Sequence, residues 1–162
     1  MLRKLRALCA LSVVALCLVT LTGCTAIARG YIVPEHGQFV LKMIPGCDSA
    51  FTHVEVSYVS HPSGLGNGPT ETDIIWSVSF RDGAGVPEVT LFTSPANADS
   101  EFLVPDIDLS REVLVRWSEP GDIGGVVPGV LGDIEPGFVL WQGGYEDAQE
   151  FAGKVSSRTF GC

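Results

Sequence analysis

Residues 74–80 read IIWSVSF, and this stretch gives the clearest indication of the fold class. Its serines, Ser77 and Ser79, lie between apolar residues at every second position. Successive side chains of an extended strand point to opposite faces, so the stretch is predicted to be a β-strand with one face in a core and the other in solvent. The pair Asp82-Gly83 then ends the strand, as turn residues commonly do. The alternating apolar positions are Ile74, Trp76, Val78 and Phe80.

The rest of the chain contains similar short runs, separated by Gly, Pro and Asp. The runs are rich in β-branched and aromatic residues, which favour strands. The only candidate helix is residues 145–152, YEDAQEFA. Many short strands without a sustained helical period predict an all-β fold, a single antiparallel β-sandwich whose strand order stays open. The further predicted strands are 39–44, 53–58, 88–92, 101–104, 113–117, 138–141 and 155–160.

This predicted architecture resembles that of immunoglobulin-like or fibronectin-like domains. An immunoglobulin domain pairs two cysteines around a buried Trp, and its second Cys lies inside a late strand. Here Cys47, Trp76 and Cys162 have a different spacing, and Cys162 is the last residue. The resemblance therefore extends to the architecture and not to the immunoglobulin sequence pattern.

The charge balance excludes one large class of partner. The chain has 10 Lys and Arg against 19 Asp and Glu, a formal net charge of −9. Binding to a phosphate backbone relies on clustered Lys and Arg, so no nucleic-acid partner is expected. A hydrophobic content of 46% also argues against a disordered chain.

Residues 1–23 have the layout of a secretory signal peptide, in which a basic cluster precedes an apolar run and small residues follow. As a helix, the apolar run 7–21 would rise about 22 Å. A permanent membrane span must cross about 30 Å of hydrocarbon, so cleavage of the leader is predicted and a retained signal anchor is the alternative. The basic residues are Arg3, Lys4 and Arg6.

The end of this leader, Leu21-Thr22-Gly23-Cys24, resembles the lipobox of bacterial lipoproteins. The resemblance implies that a diacylglyceryl group is attached to the Cys24 thiol and that cleavage makes Cys24 the first residue. Two acyl chains hold a protein stably on a bilayer where one holds it only marginally. The expected location is the extracytoplasmic face of a cell membrane, with the lipid on Cys24 as the membrane contact. The alternative is that Cys24 is one more Cys of the apolar leader, like Cys9 and Cys17.

Two further predictions concern the source of the protein and the organisation of the chain from Cys24 onward. Lys occurs three times and Asn twice, which is similar to the usage of high-GC bacteria such as actinomycetes. The domain would then face the cell wall, or the periplasm in a two-membrane cell. Residues 24–37 show no sustained period and include Pro34, so they are predicted to be the lipidated N-terminus and a flexible tether. Residues 38–162 would form the β-sandwich domain.

Two cysteines remain in the part of the chain predicted to be exported, Cys47 and Cys162. Outside the cytoplasm such a pair is expected to form a disulfide. The alternative is a metal-binding or reactive pair of thiols, but neither a CxxC spacing nor a neighbouring His supports it.

A candidate ligand surface lies around residues 119–137, EPGDIGGVVPGVLGDIEPG. This segment is predicted to be a long acidic loop without regular structure, and such loops are often functional. Trp141 and Tyr145 follow it beside two glycines and are predicted to form an exposed aromatic patch. Trp117 shares the face of two valines and is predicted to lie in the core. The candidate ligand residues are Asp122, Asp133, Trp141 and Tyr145.

The sequence contains no recognised catalytic or metal-binding motif. The chain has neither a G-x-S-x-G nor an S-x-x-K motif, and its histidines lack metal-ligand spacing. We therefore predict no catalytic residue, no metal site and no cofactor. Calcium bound by loop carboxylates stays open as an alternative, although no EF-hand spacing is present. The histidines are His36, His53 and His61, and the carboxylates are those of Asp106, Asp108, Asp122 and Asp133.

These features predict a lipid-anchored, non-enzymatic domain that binds or scaffolds a partner at the bacterial cell envelope, such as an envelope protein or a glycan. One alternative is an envelope hydrolase or metal-dependent enzyme whose residues converge only in the folded chain. Another is a structural subunit of a membrane complex. A sandwich fold alone selects none of these, since such folds host many functions.

Overall fold

The computed structural model describes residues 29–47, 49–59, 74–81, 85–121 and 124–157. Several residues of the sequence predictions lie outside these ranges, among them the leader with Cys24, His61, Asp122 and Cys162. The lipid anchor and the Cys47–Cys162 disulfide therefore stay predictions.

Ten strands form two antiparallel five-stranded sheets. The first sheet has the order β10-β9-β1-β2-β5 and the second has the order β6-β4-β3-β7-β8. This arrangement confirms the predicted all-β sandwich and supplies the strand order that the sequence left open. The strands are β1 (Gly30–Glu35), β2 (Gln38–Met43), β3 (His53–Tyr58), β4 (Ile74–Phe80), β5 (Glu88–Thr90), β6 (Ala98–Leu103), β7 (Glu112–Ser118), β8 (Gly124–Val130), β9 (Phe138–Trp141) and β10 (Gly144–Asp147).

The main core lies between the two sheets, where alternate residues of the strands meet. Trp76, Val78 and Phe80 of β4 are buried, as the period-two pattern predicts. Ser57 departs from that pattern, because the register between β3 and β4 shifts after Val56 and leaves Ser57 buried instead of exposed. Other core residues include Ile32, Leu41, Val54, Val56, Val113, Val115, Trp117, Val127 and Leu140.

The predicted tether is wrong for residues 30–35, which form β1 in the middle of the first sheet. β1 pairs with β2 through a two-residue turn at His36 and Gly37, whose φ angles are 51° and 78°. Positive φ at both positions is typical of the tight turn that matches the twist of a hairpin. His36 therefore lies in a hairpin turn, and the described domain begins before residue 38.

The predicted long loop is also wrong, because β8 occupies residues 124–130 and pairs with β7 along its whole length. A single 3-10 turn, Leu131–Asp133, follows β8. Two of the glycines that suggested a loop are instead required by packing. An added Cβ at Gly125 would lie 2.1 Å from the Trp117 ring, and one at Gly129 would lie 2.6 Å from Leu140.

The C-terminal part differs from the prediction as well. Residues 145–147 belong to β10, and the helix α1 spans Ala148–Ser157. Residues 155–157 are therefore helical and not a strand, while the rest of that predicted strand lies outside the described residues. Asp147 starts α1, since its Oδ1 accepts hydrogen bonds from the backbone N–H groups of Gln149 and Glu150 at 2.8 and 3.1 Å.

Candidate ligand groove

The helix α1 lies against the outer face of the first sheet, so this sheet is covered on both faces. Phe151 is the centre of the contact, with its ring centroid 4.7 Å from that of Tyr31 and 5.4 Å from that of Trp141. Ile44 and Val139 complete the buried set. The partly buried residues around it are Tyr31, Val33, Cys47, Ala148 and Val155. A second, smaller apolar cluster thus exists outside the sandwich core.

A groove of about 560 Å³ opens between α1 and this outer face. One wall consists of helix residues spaced three, four, seven and eight positions apart, which share one face of a helix. The floor consists of β1 and β9 residues, and Pro45 also lines the groove. None of the described lining residues is charged. We call this the outer groove; its lining residues are Tyr31, Val33, Pro45, Val139, Ala148, Phe151, Ala152, Val155 and Ser156.

A charged cluster lies on the same face of the sheet, one strand away from the groove. Lys42 is the cross-strand partner of Tyr31, and its Nζ lies 2.6 Å from Glu35 Oε1 and 3.7 Å from Glu88 Oε2. The hydrogen bond to Glu35 raises the pKa of Lys42. Burial raises the pKa of the Tyr31 hydroxyl. On the other side of the groove, Lys154 Nζ of α1 lies 2.7 Å from Glu146 Oε2 of β10. The outer groove thus has charges along both sides and an uncharged interior.

The structure does not bring the predicted aromatic patch together. Trp141 is only 7% exposed and packs under Phe151, so its assignment to an exposed patch is wrong. Tyr145 is 41% exposed, and its position opposite Leu140 places it on the other face of the sheet from Trp141. The Val130 N–H donates to the Tyr145 hydroxyl, which in turn lies 3.0 Å from the Val130 carbonyl oxygen.

The predicted carboxylates are likewise separate features in the described part of the chain. Asp133 is exposed in the 3-10 turn after β8. Asp108 Oδ1 accepts hydrogen bonds from the Ser110 N–H and hydroxyl at 3.0 and 2.6 Å, and these bonds lower the pKa of Asp108. Among the described residues, no three His, Cys, Asp or Glu side chains are close enough to hold a metal ion.

His53 lies on the outer face of the second sheet, away from the outer groove. Its Nδ1 is 2.8 Å from Ser79 Oγ on the neighbouring strand. Glu55 on the same face lies 3.9 Å from Arg116. Two cross-strand pairs therefore account for these polar side chains.

Sequence reasoning missed a buried carboxylate at Glu119, whose side chain is only 2% exposed. Trp117 Nε1 donates to Glu119 Oε1 at 3.1 Å, and the Ser49 hydroxyl donates to Oε2. Arg29 Nη1 lies 3.5 Å from Oε2. A buried charge requires such partners, so this cluster ties the chain entering β1 to the end of β7. The donors lie far apart in sequence, and no local signal could have grouped them.

The outer groove was also missed, because its walls come from a predicted tether and from a helix predicted to be shorter. Helix positions 148, 151, 152 and 155 do carry the apolar spacing that could have indicated a helix face. The spacing covers only two turns, which is too short to stand out from a chain of alternating strands.

Comparisons with known proteins found no matching family model, no similar curated protein and no similar solved structure. The chain is therefore placed by its fold, as a two-sheet antiparallel β-sandwich with a helix on one outer face. Within the part of the chain that the structure describes, no helix has the length and apolar character needed to cross a membrane.

Proposed function

We propose that this protein is a lipid-anchored, extracytoplasmic binding domain that holds an apolar ligand in the outer groove. The observation that carries the proposal is the groove itself, about 560 Å³ in volume and lined by described residues without charge. Small-molecule sites are typically concave, mostly apolar and about 300–1,000 Å³ in volume. Its volume and its lining both fall within the range of such sites.

The helix gives a second reason for a ligand at this position. Phe151 of α1 is buried against Trp141 of the sheet. Ala152, the next residue of the helix, is exposed and lines the groove. The helix is thus anchored to the sheet along part of its apolar face and stands away from it along the rest. Apolar surface that stays open in this way is typical of binding sites, since burying it releases about 25 cal/mol per Å².

The anchor supports the location of the site. Six residues separate Cys24 from Tyr31, and this segment spans at most about 24 Å when extended. A diacylglyceryl group on Cys24 would therefore hold the outer groove close to the bilayer surface. The predicted Cys47–Cys162 disulfide would close most of the domain into one loop and stabilise it by about 4–5 kcal/mol.

Photolabelling with an apolar arene that carries a diazirine tests the binding site. The full-length protein is expressed, processed, purified and incorporated into lipid nanodiscs, and labelled peptides are mapped by mass spectrometry. We expect labelling of α1 and β1 in the wild-type protein. The substitution Ala152→Trp places an indole in the groove at an exposed helix position, so it should abolish this labelling and leave the fold intact.

Gln149→Trp is the matched control, because Gln149 is exposed on the same helix but does not line the groove. This variant should be labelled like the wild-type protein. Equal labelling of α1 in the Ala152→Trp protein, or no labelling of α1 and β1 in the wild type, would contradict the proposal.

A further inference from the structure

We infer that the ligand of the outer groove is an acyl chain of a membrane amphiphile, whose polar head stays outside the groove beside Tyr31 and Lys42. This inference rests on the proposed function and names the chemical class of the ligand. Three features support it: the shape of the groove, the distribution of polar atoms around it, and its distance from the predicted anchor.

The shape of the groove suits an extended chain. Its helical wall runs from Ala148 to Ser156, nine residues whose eight steps rise about 12 Å along α1. The floor follows β1 and β9, two neighbouring strands of one sheet. A site bounded along its length by a helix and a sheet is a trough, which favours a long, flexible apolar group over a compact one.

The interior offers almost nothing to a polar ligand. Two hydroxyls, those of Tyr31 and Ser156, are the polar side-chain groups among the described lining residues. The Ser156 hydroxyl already donates to the Gly153 carbonyl oxygen at 3.0 Å. A ligand with several polar groups would lose hydrogen bonds to water there without replacing them, whereas an acyl chain loses none.

Charged pairs border the groove on both sides, Lys42 with its partners beyond β1 and Lys154 with Glu146 beyond β9, and the side of Lys42 is the one next to the Tyr31 hydroxyl. Lys42 and its partners Glu35 and Glu88 share the outer face of the first sheet with Tyr31. A head group placed there would stay hydrated while its acyl chain lies under α1. Tyr31 lines the groove and is the cross-strand partner of Lys42, so its hydroxyl can donate to an ester or hydroxyl oxygen of the head.

Two segments of the chain itself could occupy the same groove. One is the acyl chain on Cys24, which the six intervening residues would keep within about 24 Å of Tyr31. The other is residues 158–162, RTFGC, which follow directly after α1 and include Phe160. The uncharged trough beside a bilayer favours a separate lipid, because a Cys24 chain must also stay inserted in the membrane to anchor the protein.

Competition against the diazirine label tests the inference with the same nanodisc preparation. The competitors are monoacylglycerols with octanoyl, decanoyl and dodecanoyl chains, and free glycerol is the head-group control. Each pair of buried methylenes should raise the affinity roughly tenfold, until the chain is longer than the groove. Glycerol should not compete, and Ala152→Trp should abolish binding of every competitor while Gln149→Trp leaves it unchanged.

The outcomes separate the inference from the proposed function. Labelling that no monoacylglycerol displaces, or displacement that does not change with chain length, overturns the acyl-chain inference and leaves an apolar site. The absence of any groove labelling overturns both.

Two variants test whether a part of the protein itself, the Cys24 acyl chain or residues 158–162, fills the groove. Displacement that appears only in the Cys24→Ser protein shows that the anchor fills the groove, and displacement that appears only in the Phe160→Ala protein shows that the C-terminal segment does. Either result overturns the inference.

Discussion

Trp117 packs so closely against two other strands that each has a glycine at the contact. Its indole packs edge to face against Phe51, and its Nε1 donates to the buried Glu119. The ring also fills the space above two glycines, Gly125 on the neighbouring strand β8 and Gly30 on β1 of the facing sheet. An added Cβ would lie 2.1 Å from the ring at Gly125 and 3.0 Å from it at Gly30. The Trp117 ring therefore accounts for Gly125 in β8, as Leu140 accounts for Gly129.

The substitution Gly125→Ala should destabilise the fold, because the new methyl group overlaps a buried ring that has no room to move. Overpacking of this kind costs about 1–3 kcal/mol. The free energy of unfolding, measured by urea denaturation, gives the result directly.

Gly153→Ala is the matched control for this prediction. Gly153 is an exposed residue of α1, and a Cβ added there meets nothing within 4 Å. The same chemical change should therefore stabilise the protein by up to about 1 kcal/mol, since Ala favours a helix over Gly. A destabilisation of equal size in both variants would contradict the account of Trp117.

At the level of elements, the sequence predicts strands well where one face is buried and the other is exposed. The stretch 74–80 is such a strand, and its alternation is confirmed from Trp76 onward, whereas Ile75 is buried on the face predicted to be exposed. The sequence does not reveal β1 in this way, because both faces of the strand are covered. Ile32 lies in the sandwich core, and Tyr31 and Val33 lie under α1. A strand that is covered on both sides has no alternation to detect.

The helix shows the same limit from the other direction. The sequence places the start of α1 at residue 145, three residues before its actual start at Ala148, because the polar residues of β10 resemble the first turn of a helix. The buried Glu119 and the outer groove depend on residues that are distant in sequence. Trp117 could be assigned to the core from its strand alone, whereas Trp141 could not, since the helix that covers it was not placed there by the sequence.

Asp147 gives a prediction at this level, because its carboxylate caps α1. Asp147→Ala should cost about 1 kcal/mol in the free energy of unfolding. Asp147→Asn should cost less, because Asn still accepts the capping hydrogen bonds and loses only the favourable charge at the helix start. Far-UV circular dichroism together with urea denaturation measures both effects. An Asn variant as unstable as the Ala variant would mean that the capping geometry contributes little.

At the level of the whole molecule, the two sheets and the helix build three layers with two separate apolar clusters. The first cluster accounts for the stability of the sandwich. The second is incomplete, since the outer groove remains open between the helix and the sheet. The edge strand β8 is protected by other means. β8 carries Pro128, and Tyr145 bonds to both backbone groups of Val130 at the end of this strand. Other apolar side chains are exposed as well, such as Phe102 and Leu103 of β6. The groove differs from them because it is concave, and the proposed anchor would hold it beside a membrane.

Native mass spectrometry of the protein isolated from its own membranes under mild conditions tests this account most directly. We expect the wild-type protein and the Gln149→Trp variant to carry a bound molecule with the mass of an acyl-containing lipid in addition to the covalent anchor. The Ala152→Trp variant should carry the anchor alone. A wild-type protein without any bound molecule, or an Ala152→Trp variant that retains the same one, would contradict the assignment of the outer groove as a ligand site.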